Sequence, residues 1–486
     1  MLFNTVAYFI FLAVVFSLYW LLPWRLRYLL LFVASYYFYM QWNAFYALLL
    51  AGVTLVSYIG GRLIESDEDA KKRRLVLFSC IIICLSVLSL FKYFNFFVQN
   101  MNYLLTMAHQ PVLTWTSRLI LPVGISFYTL QSLGYLIDVY RREVYAEKNL
   151  IKYALFVSFF PQLVAGPIER SKNLLTQLNT KKEFSMENLR RGALLILWGL
   201  FVKVVIADRA AIFVDAVYNQ PSTYKGFFIL MATLLFSVQI YCDFYGYSTI
   251  ARGTALTLGI RLMDNFNAPY FSQSIKEFWR RWHVSLSSWF KDYLYIPLGG
   301  SRCRKERKWF NLMVVFGVSG LWHGASLSFV FWGLLNGLYQ VLADWLAPLR
   351  KRGAALESKP MMKVLKTVIT FFLITFAWLF FRANGFQKAL SLLKSMLLEG
   401  NWHIFYDGSL FTLGITQPQF LVLLAAIVLL FVVDYQKYKQ VDMVSVLLHQ
   451  PLLIRVFVEV LLVCWLLVFG CYGELYDTAS FIYFQF

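Results

Sequence analysis

The sequence predicts an all-α protein whose helices cross a membrane many times. Of its 486 residues, 59% are hydrophobic, 19% are aromatic and only 15% are charged, and the mean hydropathy is +0.60. Charge-free apolar stretches recur, as at residues 2–23, 75–90 and 227–241, and roughly 20 such residues cross a hydrocarbon core. We expect about eleven transmembrane helices, with re-entrant or interfacial helices, in a single membrane domain over residues 1–486.

The basic residues predict the orientation of the chain. The net charge is +19, and Lys and Arg cluster in short segments such as 71–74, 141–142 and 302–308. Cytoplasmic loops of membrane proteins carry this bias, so it does not indicate a nucleic-acid partner. Because Arg455 is the last basic residue, we expect the C-terminal tail, residues 473–486, to face the outside. The first apolar stretch lacks the charge and cleavage pattern of a signal peptide, which favours a retained span.

The six cysteines indicate neither a metal site nor a disulfide framework. They lie mostly inside apolar runs and lack the paired spacing of zinc ligands. The candidates for chemistry are therefore the histidines and the acids within apolar stretches.

His323 lies in a 35-residue stretch, 309–343, that contains no Asp, Glu, Lys or Arg. An ionisable side chain near the middle of a membrane is costly and is a functional candidate by default. The stretch exceeds one span and carries small residues such as Gly320 and Gly324, which favours a helix break beside the histidine. A neutral imidazole there suits a general base. The alternative is a histidine that is hydrogen-bonded between packed helices.

A second histidine, His283, occurs in the polar and aromatic stretch 278–300, "FWRRWHVSLSSWFKDYLYIPLGG". On a continuous helix, Trp279, His283 and Ser287 would share a face at spacings of four. The stretch is too polar to face lipid throughout, which favours a re-entrant element lining a cavity. The alternative is an interfacial aromatic belt with snorkelling basic residues.

Two acids also follow apolar stretches, Asp243 and Asp138. Pairing with a neighbouring Arg or with a backbone donor is the role we expect for both. The segment 169–190 alternates charge with apolar residues, so we expect it to lie along the cytoplasmic interface.

Several stretches together resemble the membrane-bound O-acyltransferase family, in the bacterial branch of alginate and peptidoglycan O-acetylation. They are "LPVGISFYTLQSLGYLIDVYR" (121–141), "FFPQLVAGPIER" (159–170), "YCDFYGYSTIARG" (241–253), the stretch 278–300 and "GLWHGAS" (320–326). The resemblance implies a ring of helices around a thin central region with a tunnel. Tyr245 and Thr249 stand where that branch commonly has Ser and Asp, so the resemblance does not identify which polysaccharide is modified.

The resemblance also implies roles for particular residues. His323 corresponds to the proposed catalytic histidine of the family and His283 to its second conserved position. Further candidates for binding the donor or the substrate come from the same stretches: Arg280, Arg281, Trp282, Ser287 and Asp243. The two arginines and the segment 302–308 could attract the phosphates of a donor, although a positive-inside loop explains these charges equally well.

The chain ends in "FIYFQF", residues 481–486, and related systems carry an F-x-Y-x-x-F ending. The resemblance implies that the Tyr483 hydroxyl accepts and relays an acyl group. A phenol needs a base to attack a thioester, but it leaves more readily than an alkyl alcohol. Without the family, an aromatic anchor at the membrane interface is the alternative interpretation of this ending.

The expected function is therefore that of an O-acyltransferase in a bacterial cytoplasmic membrane, with no bound cofactor or metal. The donor would be a thioester, either acetyl-coenzyme A or an acylated phosphopantetheine carrier protein. The final acceptor would be an extracytoplasmic cell-envelope polysaccharide, reached through an SGNH-type acetyltransferase partner. D-Alanyl transfer to teichoic acid, as in the shorter related branch, is one alternative. A transporter of a lipid-linked or acylated substrate is another, but paired broken helices in two related halves are not evident in the sequence.

Overall fold

The computed structural model describes residues 1–116, 119–164, 166–347, 359–383, 385–472 and residue 482. Within these residues the chain is helical and contains no β-strand. It divides into two compact units: residues 1–193 with 251–263, and residues 194–250 with 264–486. The single membrane domain expected from the sequence stays a prediction.

The first unit begins with helices joined by short turns. Capping side chains fix several of their starts; Asn149, for example, accepts hydrogen bonds from the N–H groups of Ile151 and Lys152. The centre of this unit is formed by buried aromatic residues such as Tyr135 and Tyr153, whose ring centroids are 4.5 Å apart. The helices are α1 (Val6–Leu21), α2 (Trp24–Met40), α3 (Tyr46–Ser66), α4 (Ala70–Lys92), α5 (Phe94–Met107), α6 (Ile125–Tyr140), α7 (Leu150–Ser158), α8 (Phe160–Leu163) and α9 (Ser171–Leu178).

The chain passes from one unit to the other within two of its helices. Helix α10 (Met186–Leu200) leads into the second unit and continues as a π-helical segment, Phe201–Ala207. Helix α11 (Asp208–Asn219) follows, and α12 (Phe227–Thr257) returns to the first unit. Single π-helical turns are rare in proteins, and many of those that do occur lie at functional sites.

The rest of the second unit holds the stretches that carry both candidate histidines. Short helices and a second π-helical segment, Lys291–Tyr295, precede a series of longer helices. The helices are α13 (Ile275–Arg281), α14 (Val284–Phe290), α15 (Lys305–His323), α16 (Leu327–Trp345), α17 (Pro360–Arg382), α18 (Phe386–Leu398), α19 (Gln417–Tyr438), α20 (Met443–Leu448) and α21 (Leu452–Phe469).

Among the described residues, six helices are long and apolar enough to cross a membrane: α3, α4, α12, α17, α19 and α21. Helix α12 is mostly buried within the protein, whereas α21 exposes its apolar side chains. An exposed apolar helix of this length is expected to face lipid. The chain is therefore a multi-pass membrane protein, while the count of about eleven crossings stays a prediction.

Candidate functional site

The break predicted beside His323 is present. Helix α15 ends at His323, Gly324 is extended, and the Ser326 side chain accepts a hydrogen bond from the N–H of Ser328 at the start of α16. Close packing of the two helices depends on glycine: a Cβ atom on Gly320 would lie 2.3 Å from the backbone oxygen of Phe329. The small residues around the histidine thus permit both the break and the contact between α15 and α16.

His323 is buried among aromatic rings and is only 3% exposed. Its ring centroid lies 4.8 Å from that of Trp322, 5.0 Å from Trp332 and 5.5 Å from Phe381. The imidazole therefore has a fixed position among these rings. Trp378 packs on Trp332, and Trp282 packs on Trp378; we call Trp282, Trp322, Trp332, Trp378 and Phe381 the aromatic wall. The imidazole also stands at the carbonyl end of α15, where the partial negative charge of the helix stabilises a cation.

The chain does not form a continuous helix through His283, so that prediction is wrong. Helix α13 ends at Arg281, His283 has φ +43° in the left-handed region, and α14 begins at Val284. Asn265 accounts for the break, because its backbone oxygen accepts a hydrogen bond from Val284 N at 2.9 Å and its side-chain oxygen accepts one from Ser285 Oγ at 2.6 Å. A non-glycine residue in this conformation is strained and is held by its surroundings.

Because of this break, Trp279, His283 and Ser287 do not share one helical face. Trp279 lies on α13, where its indole nitrogen is 3.3 Å from Asn336 Oδ1. Ser287 lies on α14 and donates to the Trp282 carbonyl at 3.2 Å. Ser287 thus completes the turn around the break.

The break brings His283 to the same aromatic wall as His323. Its ring centroid lies 5.9 Å from that of Trp322, and the Trp322 centroid lies 4.8 Å from that of His323. The ring also contacts Phe244 of α12 at 4.6 Å, and its Nδ1 atom is 3.5 Å from Ser285 Oγ. The two histidines that the sequence singled out are therefore linked through one tryptophan.

The other candidates of this stretch differ in their surroundings. Arg280 is exposed at the end of α13. Arg281 instead binds Glu277 at 2.9 Å and the Asn267 carbonyl at 3.1 Å, and its guanidinium lies over the Tyr438 ring. Trp282 is 1% exposed and packs within the aromatic wall, 5.1 Å from Trp378.

Asp243 pairs with a buried lysine instead of an arginine, and it also has a backbone donor, the second of the two partners expected from the sequence. Lys203, within the π-helical segment, lies 2.7 Å from Asp243 and 2.6 Å from Asp208, and its side chain is 2% exposed. The second carboxylate oxygen of Asp243 accepts a hydrogen bond from the backbone N–H of Ile482 at 2.8 Å. We call Lys203, Asp208 and Asp243 the ionic cluster. Ile482 is buried, and Tyr483 lies outside the described residues.

Sequence reasoning missed Lys203 and Asp434. Lys203 is a lone charge in the apolar run "LFVKVVIA", which is the same signal that drew attention to His323. Asp434 follows the apolar run of α19, is 1% exposed and accepts a hydrogen bond from Tyr241 Oη at 2.7 Å. Helix α12 therefore presents Tyr241, Asp243 and Phe244 to three different parts of the second unit.

Asp138, in the first unit, contacts a serine hydroxyl, while its expected pairing with an Arg or a backbone donor stays a prediction. It is 5% exposed, and Ser171 Oγ donates to its carboxylate at 3.3 Å.

Comparison with known proteins finds a matching family model and several relatives of this chain. The sequence model of the membrane-bound O-acyltransferase family matches residues 146–383. The chain is 41% identical over 406 residues to a probable alginate O-acetylase, AlgI, of Pseudomonas aeruginosa, covering 82% of this chain and 75% of the relative. It is 38% identical over 394 residues to the peptidoglycan O-acetyltransferase of Helicobacter pylori, covering 76% and 73%. A teichoic acid D-alanyltransferase of Bacillus subtilis is 29% identical over 279 residues, covering 54% and 69%.

Proposed function

Because the chain belongs to the membrane-bound O-acyltransferase family, we propose that it moves an acetyl group from a cytoplasmic thioester to an extracytoplasmic cell-envelope polysaccharide. The O-acetylating relatives support acetyl, since their identity and coverage exceed those of the D-alanyl relative. The observation that carries the proposal is the burial of His323 at the end of α15, beside Trp322, whose ring also packs near His283. D-Alanyl transfer is the second candidate.

His323 acts as the general base of the proposed reaction. Its imidazole takes the proton from an attacking hydroxyl, whose oxygen bonds to the acyl carbon while the carbon–sulfur bond breaks. The proton then passes to the departing thiolate, which leaves as a thiol. The carbonyl end of α15 stabilises the imidazolium between these two transfers. The aromatic wall excludes water, which would otherwise hydrolyse the thioester.

The acceptor in this first step is the Tyr483 hydroxyl, from which a partner acetyltransferase of the SGNH type takes the group outside the membrane. Support for a tail held inside the protein comes from Ile482, which is buried and donates to Asp243 immediately before the tyrosine. Arg280 and the segment 302–308 supply positive charge for the phosphates of coenzyme A or of a phosphopantetheine carrier. Trp282, Ser287 and Asp243 shape the site through the contacts described above.

The role of His323 is tested with purified protein in detergent and a radiolabelled acetyl thioester. We expect His323→Ala to lower acyl transfer by about 10²–10⁴-fold, the range of general base catalysis. His403→Ala is the matched control, because that side chain is 55% exposed and lies near Asp407 in a short loop helix. Transfer that survives His323→Ala unchanged would refute the assignment.

The relay is tested by mass spectrometry of the C-terminal peptide after incubation with each candidate donor. We expect an added acetyl mass on Tyr483 that disappears in Tyr483→Phe, which keeps the aromatic ring. An added D-alanyl mass would establish the second candidate. If no adduct forms in an active preparation whose onward transfer is blocked, the relay is wrong.

The same preparation separates an enzyme from a transporter. Detergent-solubilised protein has no gradient across it, so covalent transfer in that state requires catalysis by the protein itself. A preparation that binds acyl donors but never transfers the acyl group would favour transport.

A further inference from the structure

A cavity of about 330 Å³ lies in the first unit beside the turn between α1 and α2. Five basic side chains line it: Arg25, Arg27, Lys152, Lys181 and Lys182. No Asp or Glu is among its lining residues within the described chain. A concave surface lined by charge of one sign concentrates ions of the opposite sign. The cavity is thus suited to an anion.

Arg27 fixes the shape of the cavity. Its Nε atom donates to the Leu22 carbonyl at 3.1 Å, and one terminal nitrogen donates to the Lys182 carbonyl at 2.8 Å. The guanidinium also lies over the Trp20 ring, 4.7 Å from its centroid. These contacts connect the turn before α2 to the segment after α9, so the basic side chains come from a fixed backbone.

The ammonium group of Lys152 contacts uncharged groups. Its Nζ atom donates to Asn179 Oδ1 at 2.6 Å and lies 5.4 Å from the centroid of the Tyr28 ring. Glu147 lies behind the amide, accepting from Asn179 at 3.1 Å. At the edge, Lys181 pairs with the exposed Glu183 at 3.4 Å, and both side chains are more than half exposed. Exposed pairs of this kind are weak and leave the cavity cationic.

Apolar side chains of the same turn are exposed beside these charges. Leu21 is 80% exposed, Trp24 is 43% exposed and Leu26 is 45% exposed. Exposed aliphatic residues next to a tryptophan and to basic residues are typical of the level where a protein meets lipid headgroups. An occupant of the cavity would thus have an anionic group in the pocket and apolar chains along α1 and α2.

We propose that this cavity binds the phosphate group of an anionic phospholipid. The volume is at the small end of the roughly 300–1,000 Å³ found for small-molecule sites, which suits a headgroup better than a whole nucleotide cofactor. Binding at this site does not depend on acyl transfer. A bound lipid would fix the turn between α1 and α2 against the segment after α9.

The test uses the full chain in a neutral detergent and measures binding of dihexanoyl phosphatidylglycerol. The pocket variant is Arg25→Gln with Lys152→Gln. The control variant is Lys71→Gln with Lys72→Gln, which removes the same charge from the first turn of α4. We expect the pocket variant to weaken binding by about tenfold or more and the control to stay within about twofold. Lys152→Arg, which keeps the charge, should retain most of the affinity.

Three further ligands identify the source of the phosphate. Dihexanoyl phosphatidylcholine, which has no net charge, should bind at least about tenfold more weakly than phosphatidylglycerol. Glycerol phosphate and coenzyme A should compete poorly, because they lack acyl chains. Equal binding of glycerol phosphate or of coenzyme A would overturn the lipid assignment. Equal losses in the pocket and control variants, or no binding by the native protein, would overturn the site itself.

Discussion

Replacing Asp243 by Asn tests the ionic cluster that contacts the C-terminal tail. Removing one partner of a buried ion pair typically costs about 3–5 kcal/mol, because the remaining charge stays buried. Lys203 is 2% exposed, but Asp208 still lies 2.6 Å from its ammonium after the substitution. We therefore expect Asp243→Asn to lower the free energy of unfolding by about 3 kcal/mol, the lower limit of that range.

The same substitution should loosen the tail. The Ile482 N–H donates to Asp243 Oδ2 at 2.8 Å, and a hydrogen bond to a charged acceptor contributes about 1.5–3 kcal/mol. The amide oxygen of Asn can still accept, so a loss of about 1 kcal/mol is expected for this contact. Hydrogen exchange at the Ile482 amide should accelerate by about fivefold.

Glu399→Gln is the matched control, because it also replaces a carboxylate by an amide, but in an exposed ion pair. Glu399 lies 3.3 Å from Lys225 Nζ, the two side chains are 45% and 48% exposed, and exposed pairs contribute about 0–1 kcal/mol. Thermal unfolding in detergent and exchange at residue 482 are measured for both variants. Equal destabilisation by the two substitutions, or unchanged exchange at the Ile482 amide, would refute the reasoning.

Three further predictions concern packing, a buried hydrogen bond and pH. Gly320→Ala should destabilise the protein by about 1–3 kcal/mol and lower acyl transfer, since its Cβ would meet a backbone oxygen of α16 at 2.3 Å; unchanged melting would contradict this. Tyr241→Phe should lower unfolding free energy by about 1–3 kcal/mol by removing the donor to Asp434, and a chemical denaturation series measures it. The hydrogen bond and charge of Lys172 hold the pKa of Glu143 below its ordinary value, so this pair stabilises the fold above the unfolded pKa and loses its effect as pH falls through the folded pKa. The difference in melting temperature between native protein and Lys172→Met should therefore be small at neutral pH and vanish in acid.

Local sequence patterns predicted the features that depend on neighbouring residues. Charge-free runs indicated membrane helices, and the small residues around His323 indicated the end of α15. Each of these features depends on residues within a few turns of one another. The family stretches then identified His283 and His323 before any geometry was known, and the comparisons confirmed the family.

The missed features depend on contacts between distant parts of the chain. Nothing local in the stretch 278–300 interrupts a helix at His283; the break is held by Asn265, which precedes that stretch. The pairing of Asp243 with Lys203 joins two helices, and its contact with Ile482 spans 239 positions. Periodicity describes one helix at a time, so it cannot predict which charges of different helices meet.

The aromatic wall has a spectroscopic consequence. Trp332 and Trp378 lie 5.4 Å apart with ring planes inclined by 20°, and Trp282 is 5.1 Å from Trp378. Indoles at such separations couple their electronic transitions, and asymmetric rigid packing of aromatic rings gives near-ultraviolet circular dichroism. His323 packs directly on Trp332. Loss of this packing would thus change the near-ultraviolet circular dichroism of the unlabelled protein, without a substrate and before any turnover is measured.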